Sequence, residues 1–356
     1  MQKKEDYSTF VDFEYLDFFL LANKKNIETK LKLFLETLLQ PDFANETVFE
    51  NEKKAIDNET TDNIITPEKV VYQSMINTRF MKNSHYYVNS KLTTTDKNIS
   101  LKDIGNYYNQ FCHGGNITLF IGAHQPSPEL IKSIKKLIIG VKTQNGKRAE
   151  FPPAQYSEFS IAREKFLTKR IYLTLTWPGP SHKDNLVNLC LLNCAMSLLV
   201  HGQEGRLFQA LRIENNLVYG VNGLTQSLNK VGFVAVSTAV ETKDTLQAIN
   251  LIIKEINKIK NGEINKKQLK IYLKESKRFA EKGWHDNWKK FDWISQDLIH
   301  RQKIFSPRTT SSINDNIQKN PLLISIALKN FINHRHLNII LIGKEVRKID
   351  LSSLKF

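Results

Sequence analysis

The sequence predicts an α+β fold with two related domains, each a mostly antiparallel sheet with helices packed on one face. Its 356 residues exceed one ordinary hydrophobic core, so two domains are expected. Residues 109–122 and 330–343 share a layout in which a helix passes through a polar turn into a short β run closed by glycine. Upstream of each, an extended run precedes a long helix and then a charged helix. Two copies of one module therefore indicate two domains of common architecture.

The first copy lacks the opening strand and helix of the second, so we expect a truncated N-terminal domain. Its predicted elements are an extended run, three helices and a closing β run, at residues 9–20, 26–39, 45–60, 101–111 and 117–123. A turn-like segment follows, in which Pro152 and Pro153 interrupt any helix. We therefore predict a first domain over residues 1–140, a linker over 141–165 and a second domain over 166–356.

The second domain combines apolar runs of strand length with helical periodicity. Strands are predicted at 171–177, 233–240 and 337–343, and helices at 184–200, 242–260, from 265 onward and at 321–332. Trp284, Trp288 and Trp293 fall on one predicted charged helix and indicate packing, with a docking patch as the alternative. His334 and His336 precede the last strand, where a turn is favoured over a metal pair.

The composition is that of a globular cytoplasmic protein. Hydrophobic residues make up 41% of the chain and the mean hydropathy is −0.37. The apolar runs are too short to span a bilayer, and the polar N-terminus has no apolar core of a secretory signal. Three cysteines give no disulfide framework, so Cys190 and Cys194 on one apolar helix are expected to be buried free thiols.

The net charge of +15 is unevenly distributed along the chain. Residues 1–140 carry 17 Lys and Arg against 18 Asp and Glu, whereas residues 141–356 carry 34 against 18. The lysines follow solvated helices and do not alternate with aromatic residues on a strand platform, so nucleic acid is not the expected partner. A basic scaffold or nucleic-acid binder remains an alternative, and it predicts an affinity that falls steeply with salt.

Two carboxylates on the predicted helix 45–60 are candidate metal or proton-transfer groups. Glu52 and Glu59 are seven residues apart, and two helical turns place them on one face. A carboxylate on a helix can bind zinc or move a proton when a second element brings histidines to it. The alternative is an acidic, solvated helix.

A helix, a turn and an extended run at residues 205–224 present a guanidinium and a phenol on either side of the turn. Arg212 precedes the turn at Asn215 and Asn216, and Tyr219 follows it. The fork of donors on Arg212 suits a carbonyl or carboxylate, and Tyr219 adds a neutral donor. The alternative is that Arg212 pairs with Glu214 or the chain nearby and that the tyrosine packs on a sheet. Residues 217–225, and an edge strand at 117–121, are predicted to accept an extended peptide by strand addition.

The stretch from Gly205 to Gly220 resembles the C-terminal-domain signature of the insulinase, pitrilysin and mitochondrial-processing-peptidase family of zinc metallopeptidases. The resemblance extends over about residues 7–343. It implies that Arg212 and Tyr219 contact a peptide substrate. The segment 41–43 with Glu52 and Glu59 resembles a helix of the family's zinc site, which implies that Glu59 is the third zinc ligand and Glu52 a supporting carboxylate.

The zinc motif of that family, His-x-x-Glu-His, does not occur among the nine histidines of this sequence. Without two imidazoles and the general-base glutamate, we expect no stable zinc site and no proteolysis by this chain alone. We therefore expect a peptide-binding member that acts with a partner subunit or fragment bearing His-x-x-Glu-His, or as a homo-oligomer. An alternative is the C-terminal fragment of an active zinc peptidase, through a late start at Met1 or a split gene.

Overall fold

The computed structural model describes residues 7–23, 25–62, 67–79, 86, 99–123, 126–139 and 155–356. It separates into two compact units, one of Met1–Ile64 with Lys91–Phe151 and one of Ile65–Ser90 with Pro152–Phe356. The segment 65–90 thus belongs to the second unit, although the sequence placed it within the first predicted domain.

Seven strands and twelve helices form the regular structure of the described residues. In chain order they are β1 (Tyr7–Val11), β2 (Leu16–Leu20), α1 (Ile27–Leu39), α2 (Glu46–Asp62), α3 (Pro67–Arg79), α4 (Leu101–Phe111), α5 (Pro128–Ile139), β3 (Ser160–Glu164), β4 (Ile171–Pro178), α6 (Leu186–Val200), α7 (Arg206–Phe208), β5 (Val218–Ser227), β6 (Gly232–Val240), α8 (Thr245–Lys260), α9 (Lys266–His285), α10 (Asn287–Arg301), α11 (Pro307–Lys319), α12 (Leu322–Phe331) and β7 (Asn338–Ile342).

The first unit consists of a β-hairpin and helices with a small apolar core. Strands β1 and β2 pair antiparallel, and Leu31 and Leu35 of α1 pack with Ile134 of α5. The predicted closing β run at 117–123 is wrong, because this described segment forms no strand. Leu119 packs against the α1–α5 cluster instead. An apolar run of strand length is also satisfied by burial beneath helices, and periodicity does not separate the two outcomes.

A five-stranded sheet organises the second unit, in the order β3-β7-β4-β6-β5. Strand β3 runs parallel to β7, and the other three pairs are antiparallel. The α+β class predicted from the sequence is confirmed. Strand β3 lies inside the segment 141–165 for which the sequence predicted a linker. A short run that ends in Arg163 and Glu164 carries no clear strand pattern.

The main core lies between one face of this sheet and helices α6, α8 and α12. Alternate strand residues such as Leu173, Leu175, Ile339 and Leu341 are fully buried in it. Helix α6 is apolar around almost its whole circumference, which is typical of a buried helix. It begins at a cap in which the side chain of Asn185 accepts a hydrogen bond from a backbone amide. This packing fixes α6 beside β5, where the candidate site lies.

Helix α3 covers the other face of the same sheet, which the sequence predicted to be available. It packs against β3, β4 and β7. By strand alternation Ile340 and Ile342 point away from the main core, and both are fully buried. Met75, Ile76 and Arg79 of α3 are buried as well. In its described residues, the second unit is therefore a sheet with helices on both faces, α3 on one and α6, α8 and α12 on the other.

The three neighbouring tryptophans do not share one helix, contrary to the sequence prediction. Helix α9 ends after Trp284, and α10 begins before Trp288. The carboxylate of Asp286 accepts hydrogen bonds from the amides of Trp288 and Lys289, so it caps the new helix. Trp293 lies against Gly283 at the resulting corner, where a Cβ atom on the glycine would come within 2.1 Å of the indole. The corner explains why a glycine is needed there.

Candidate functional site

Arg212 lies on a widened helical turn at the end of α7. Gly205 precedes the helix, and a Cβ atom at this position would come within 2.9 Å of the carbonyl oxygen of Leu199. After α7 the chain continues as a π-helical turn, Gln209–Glu214, with Leu211 fully buried. Such turns are rare and frequently occur at functional sites. Burial of Leu207 and Leu211 directs the neighbouring Arg212 to the surface of the helix.

The guanidinium of Arg212 is not engaged by a carboxylate. Its Nη1 donates to Oδ1 of Asn216 at 2.8 Å, and no ion pair with Arg212 is found in the described part of the chain. Arg212 thus forms no ion pair with Glu214 but does bind the nearby chain, at Asn216, which was the other form of the alternative. Asn216 has a φ of +50°, a left-handed conformation that asparagine tolerates better than most residues. The turn and the arginine stabilise each other, and most of the guanidinium donors remain available.

Tyr219 lies beside Arg212 because the first part of β5 contains a β-bulge. Val218 pairs with Val240 and Val221 pairs with Thr238, so two residues of β5 stand opposite one residue of β6. The carbonyl of the bulged Gly220 accepts a hydrogen bond from the hydroxyl of Thr238 at 2.6 Å. Bulges bend a strand and redirect a side chain, often next to functional sites.

The ring of Tyr219 is 80% exposed, and its centroid lies 5.7 Å from Cζ of Arg212. The structure thus brings together the two side chains that the sequence singled out seven positions apart. A tyrosine packed into the sheet, the alternative given above, is excluded by this exposure. Both polar groups face solvent at one end of β5.

Arg206 precedes Arg212 on the same helical segment, and its contacts are by contrast purely structural. Its Nη1 lies 3.3 Å from Oε2 of Glu255, and its Nη2 donates to the carbonyl of Glu263 at 2.6 Å. Glu255 is only 6% exposed and also binds Lys258 at 2.7 Å. Arg206 thus connects α7 to α8, and both of its terminal nitrogens are engaged. Arg212 is the one of the two whose donors are available to a ligand.

Strand β5 is an edge of the five-stranded sheet, since only β6 pairs with it among the described strands. An unpaired edge offers backbone amides and carbonyls to an incoming extended chain. Arg212 and Tyr219 lie at the N-terminal end of this edge, because the bulge at Tyr219 opens the strand. The second edge predicted from the sequence, at residues 117–121, is not a strand and offers no ladder.

The two predicted zinc residues, Glu52 and Glu59, both belong to α2. Glu52 is exposed on α2, and Glu59 lies on the same helix with its side chain outside the described residues. In the described ranges no three His, Cys, Asp or Glu side chains are grouped so as to hold a metal ion. Zinc in proteins needs at least three ligands of this kind. Among the described residues, therefore, no donor set fits the zinc of the family.

The histidine pair and the helix cysteines that the sequence singled out lie in a turn and in a packed helix. His334 and His336 form a short 3₁₀ turn before β7, as the turn prediction expected. Cys194 is buried and Cys190 is half-buried, and both are free thiols. Burial raises the pKa of the Cys190 thiol to about 11, which leaves it protonated and unreactive at neutral pH. Within the described ranges, the helices are too short or too polar to cross a membrane.

The comparisons with known proteins agree with this arrangement. Residues 98–275, half of the chain, match the family model of the peptidase M16 inactive domain. The chain belongs to this M16 family. The match includes α7, Arg212, the bulge and Tyr219, so the family resemblance predicted from residues 205–220 is confirmed. No curated protein matches the chain significantly.

Solved structures with the same fold include two bacterial proteins and a fungal one. The peptidase M16 inactive domain from Pseudomonas fluorescens is 14% identical, with a TM-score of 0.75 over 96% of this chain and 81% of that one. A protease from Helicobacter pylori is 16% identical, with a TM-score of 0.78 over 95% and 81%. A chain of complex III2 from Candida albicans is 15% identical, with a TM-score of 0.75 over 98% and 84%. These likenesses show that this M16 chain shares their fold.

Proposed function

We propose that the chain binds an extended peptide along the outer edge of β5, where Arg212 and Tyr219 donate hydrogen bonds to carbonyl oxygens of the peptide. The observation that carries the proposal is the convergence of these two side chains. Among the described residues no carboxylate pairs with the guanidinium, and its Cζ lies 5.7 Å from the centroid of the exposed phenol ring, at the end of a strand edge that no described strand covers. Backbone pairing along such an edge gives affinity for many peptide sequences.

The two side chains have different roles in this proposal. Arg212 uses one donor on Asn216 and keeps the others for the peptide, in a planar fork that suits a carbonyl or a terminal carboxylate. Tyr219 supplies one neutral donor, its hydroxyl, which is accessible to a peptide because the ring is exposed. The guanidinium over the ring also limits the rotamers of both groups. Fewer free rotamers reduce the entropy that peptide binding costs.

We further propose that the chain takes part in zinc-dependent proteolysis with a second polypeptide that carries His-x-x-Glu-His. The family membership supports a peptidase-related role, and the sequence itself contains no such motif. The structural neighbour from Candida albicans is part of a larger complex, which supports a subunit role for a protein with this fold. In this arrangement the present chain holds the peptide and its partner holds the metal.

Peptide affinity tests the first part. Arg212→Ala is expected to weaken binding of an extended peptide by about 10- to 100-fold, because a hydrogen bond from a charged donor contributes about 1.5–3 kcal/mol. Tyr219→Phe removes one neutral hydrogen bond and is expected to weaken binding by about 3- to 10-fold. Calorimetric titration measures both. The control Arg347→Ala removes an exposed arginine elsewhere in the second unit. Unchanged affinity in both site variants, with the fold intact, would refute the assigned roles.

Metal content and reconstitution test the second part. The purified chain is expected to hold well below one equivalent of zinc by elemental analysis, since the described donor set does not fit the metal. A zinc-dependent peptidase activity is expected only after a His-x-x-Glu-His protein of the same source is added. A full equivalent of zinc, or chelator-sensitive proteolysis by the chain alone, would overturn this division of labour.

A further inference from the structure

An open groove lies directly beside the edge strand β5. It has a volume of roughly 410 Å³, within the range of ligand sites of about 300–1,000 Å³. Its walls are α6, the start of the following turn, α9 and β5. The side chains that decide its chemistry are Asn193, Ser197, His201, Thr225 and Tyr272.

The position of the groove relates it to an incoming peptide strand. Val221, Gly223 and Thr225 alternate along β5 and line the groove. Val221 packs against the main core, so these alternate positions face the helices. A strand added along β5 would direct every second side chain to the same face, opposite these residues. Such a side chain enters the groove.

Gly223 allows α6 to pack closely on β5 where both line the groove. A Cβ atom at this position would lie 2.7 Å from Cε of Met196 and 2.8 Å from Cγ2 of Val200. Its φ is not in the left-handed region, so the turn conformations that favour glycine do not explain it. Glycine inside a strand often marks a place where a ligand or another backbone approaches closely. The missing side chain lets Met196 and Val200 of α6 pack directly against the strand at the base of the groove.

The lining of the groove is polar and uncharged. No Lys, Arg, Asp or Glu belongs to it, and His201 already contacts Oε2 of Glu275 at 3.1 Å. Ser197 is only 7% exposed, and its Oγ is buried without a hydrogen-bond partner among the described residues. A buried hydroxyl without a partner costs about 1–3 kcal/mol, so a ligand that satisfies it gains affinity. The lining itself carries no counter-charge for an ionised side chain, because the carboxylate of Glu275 lies behind His201. An alkyl side chain would leave the polar groups of the lining without hydrogen-bond partners.

We infer that the groove is a side-chain subsite that selects an uncharged carboxamide residue, asparagine or glutamine, in a peptide bound along β5. The inference rests on the proposed function and adds its specificity. A carboxamide both donates and accepts, which matches the amide of Asn193 and the hydroxyls of Ser197 and Thr225. The subsite binds one side chain of the peptide, whereas Arg212 and Tyr219 bind the peptide backbone.

A guest-residue series tests the subsite. The probes are peptides of sequence acetyl-Lys-Ala-Val-Ala-X-Ala-Val-Ala-Lys-amide with Asn, Gln, Leu, Asp or Lys as the guest X. The Asn and Gln peptides are expected to bind at least tenfold more tightly than the others in calorimetric titrations. Asn193→Leu is expected to abolish this difference, and Ser197→Ala to reduce it. The matched control is Asn188→Leu, on the same helix but outside the groove. Thermal unfolding checks that each variant is folded.

The outcomes separate the two proposals. Equal binding of all guests, lost alike in Arg212→Ala, would overturn the subsite and leave the peptide-binding function in place. A carboxamide preference that Asn193→Leu does not change would also overturn it, because the selecting groups would lie elsewhere. Absence of binding for every guest would overturn both. A tenfold preference that disappears only in the groove variants supports the subsite.

Discussion

Replacement of Arg79 by alanine is expected to lower the free energy of unfolding of the second unit by about 3–5 kcal/mol, through a cavity and unpaired buried carbonyls. Arg79 is fully buried at the end of α3. Its Nη1 donates to the carbonyls of Thr176 and His336 at 3.2 and 2.6 Å, and its Nη2 donates to that of Ser157 at 2.9 Å. The variant leaves three carbonyls and a cavity, so the cost is large.

The charge of Arg79 is retained at neutral pH despite its burial. Burial lowers the pKa of its guanidinium to about 10, still well above neutrality. The ring of Tyr156 lies 5.3 Å from its Cζ, and the described residues offer no carboxylate in contact with it. Backbone dipoles therefore replace water around this cation. Arg79→Lys keeps the charge but not the planar fork, and an intermediate loss of stability is expected.

Tryptophan fluorescence during urea unfolding measures this effect selectively. All four tryptophans of the chain lie in the second unit, so the signal reports on the sheet that α3 covers. The control Arg278→Ala removes an exposed arginine from α9 and is expected to change stability by less than about 0.5 kcal/mol. Equal midpoints for Arg79→Ala and Arg278→Ala would show that the buried hydrogen bonds do not hold α3 in place.

The sequence predicts the second unit well where local pattern and burial agree. Strands β4, β6 and β7 are continuous apolar runs bounded by turn residues, and α8 has a regular apolar stripe. Each of these elements follows from side-chain periodicity alone. Helix α3 does not, because its buried face includes Ser74 and Arg79. A surface arginine and a buried one look alike in a sequence, and only the surrounding carbonyls distinguish them.

In the candidate site, too, some features follow from the local sequence and others depend on distant contacts. Arg212 and Tyr219 are neighbours along the chain, so their spacing around a turn predicts their convergence. The features that shape their surroundings depend on distant contacts. The bulge requires the register of β5 against β6, and the groove requires Ser197 and Tyr272 to meet from two helices. The polar, uncharged character of the groove has no signal in the sequence, because its residues lie up to 79 positions apart.

Acidification is expected to destabilise the second unit through His182. Its ring is stacked on that of His300, with centroids 4.3 Å apart. Burial, together with neighbouring His300 and Arg301 on α10, lowers the pKa of His182 from 6.5 to about 3. The folded state therefore keeps this ring neutral, while the unfolded chain binds a proton below pH 6.5. Stability is retained above this pH and is lost as the pH falls from 6.5 toward 3.

A single proton changes the free energy of unfolding by at most about 1.4 kcal/mol per pH unit, and partial exposure of the His182 ring reduces this slope. His182→Phe keeps an aromatic ring on His300 but does not titrate, so its stability is expected to fall less between pH 6.5 and 4. The exposed His285 serves as control, because His285→Gln removes a histidine without a buried partner. Carboxylates contribute to the acid response of every variant equally, so the difference between His182→Phe and the unaltered chain isolates this ring. If the stability of His182→Phe and that of the unaltered chain fall equally with pH, His182 does not contribute to the acid response. The stacked histidine pair would then accept a proton in the folded protein without loss of stability.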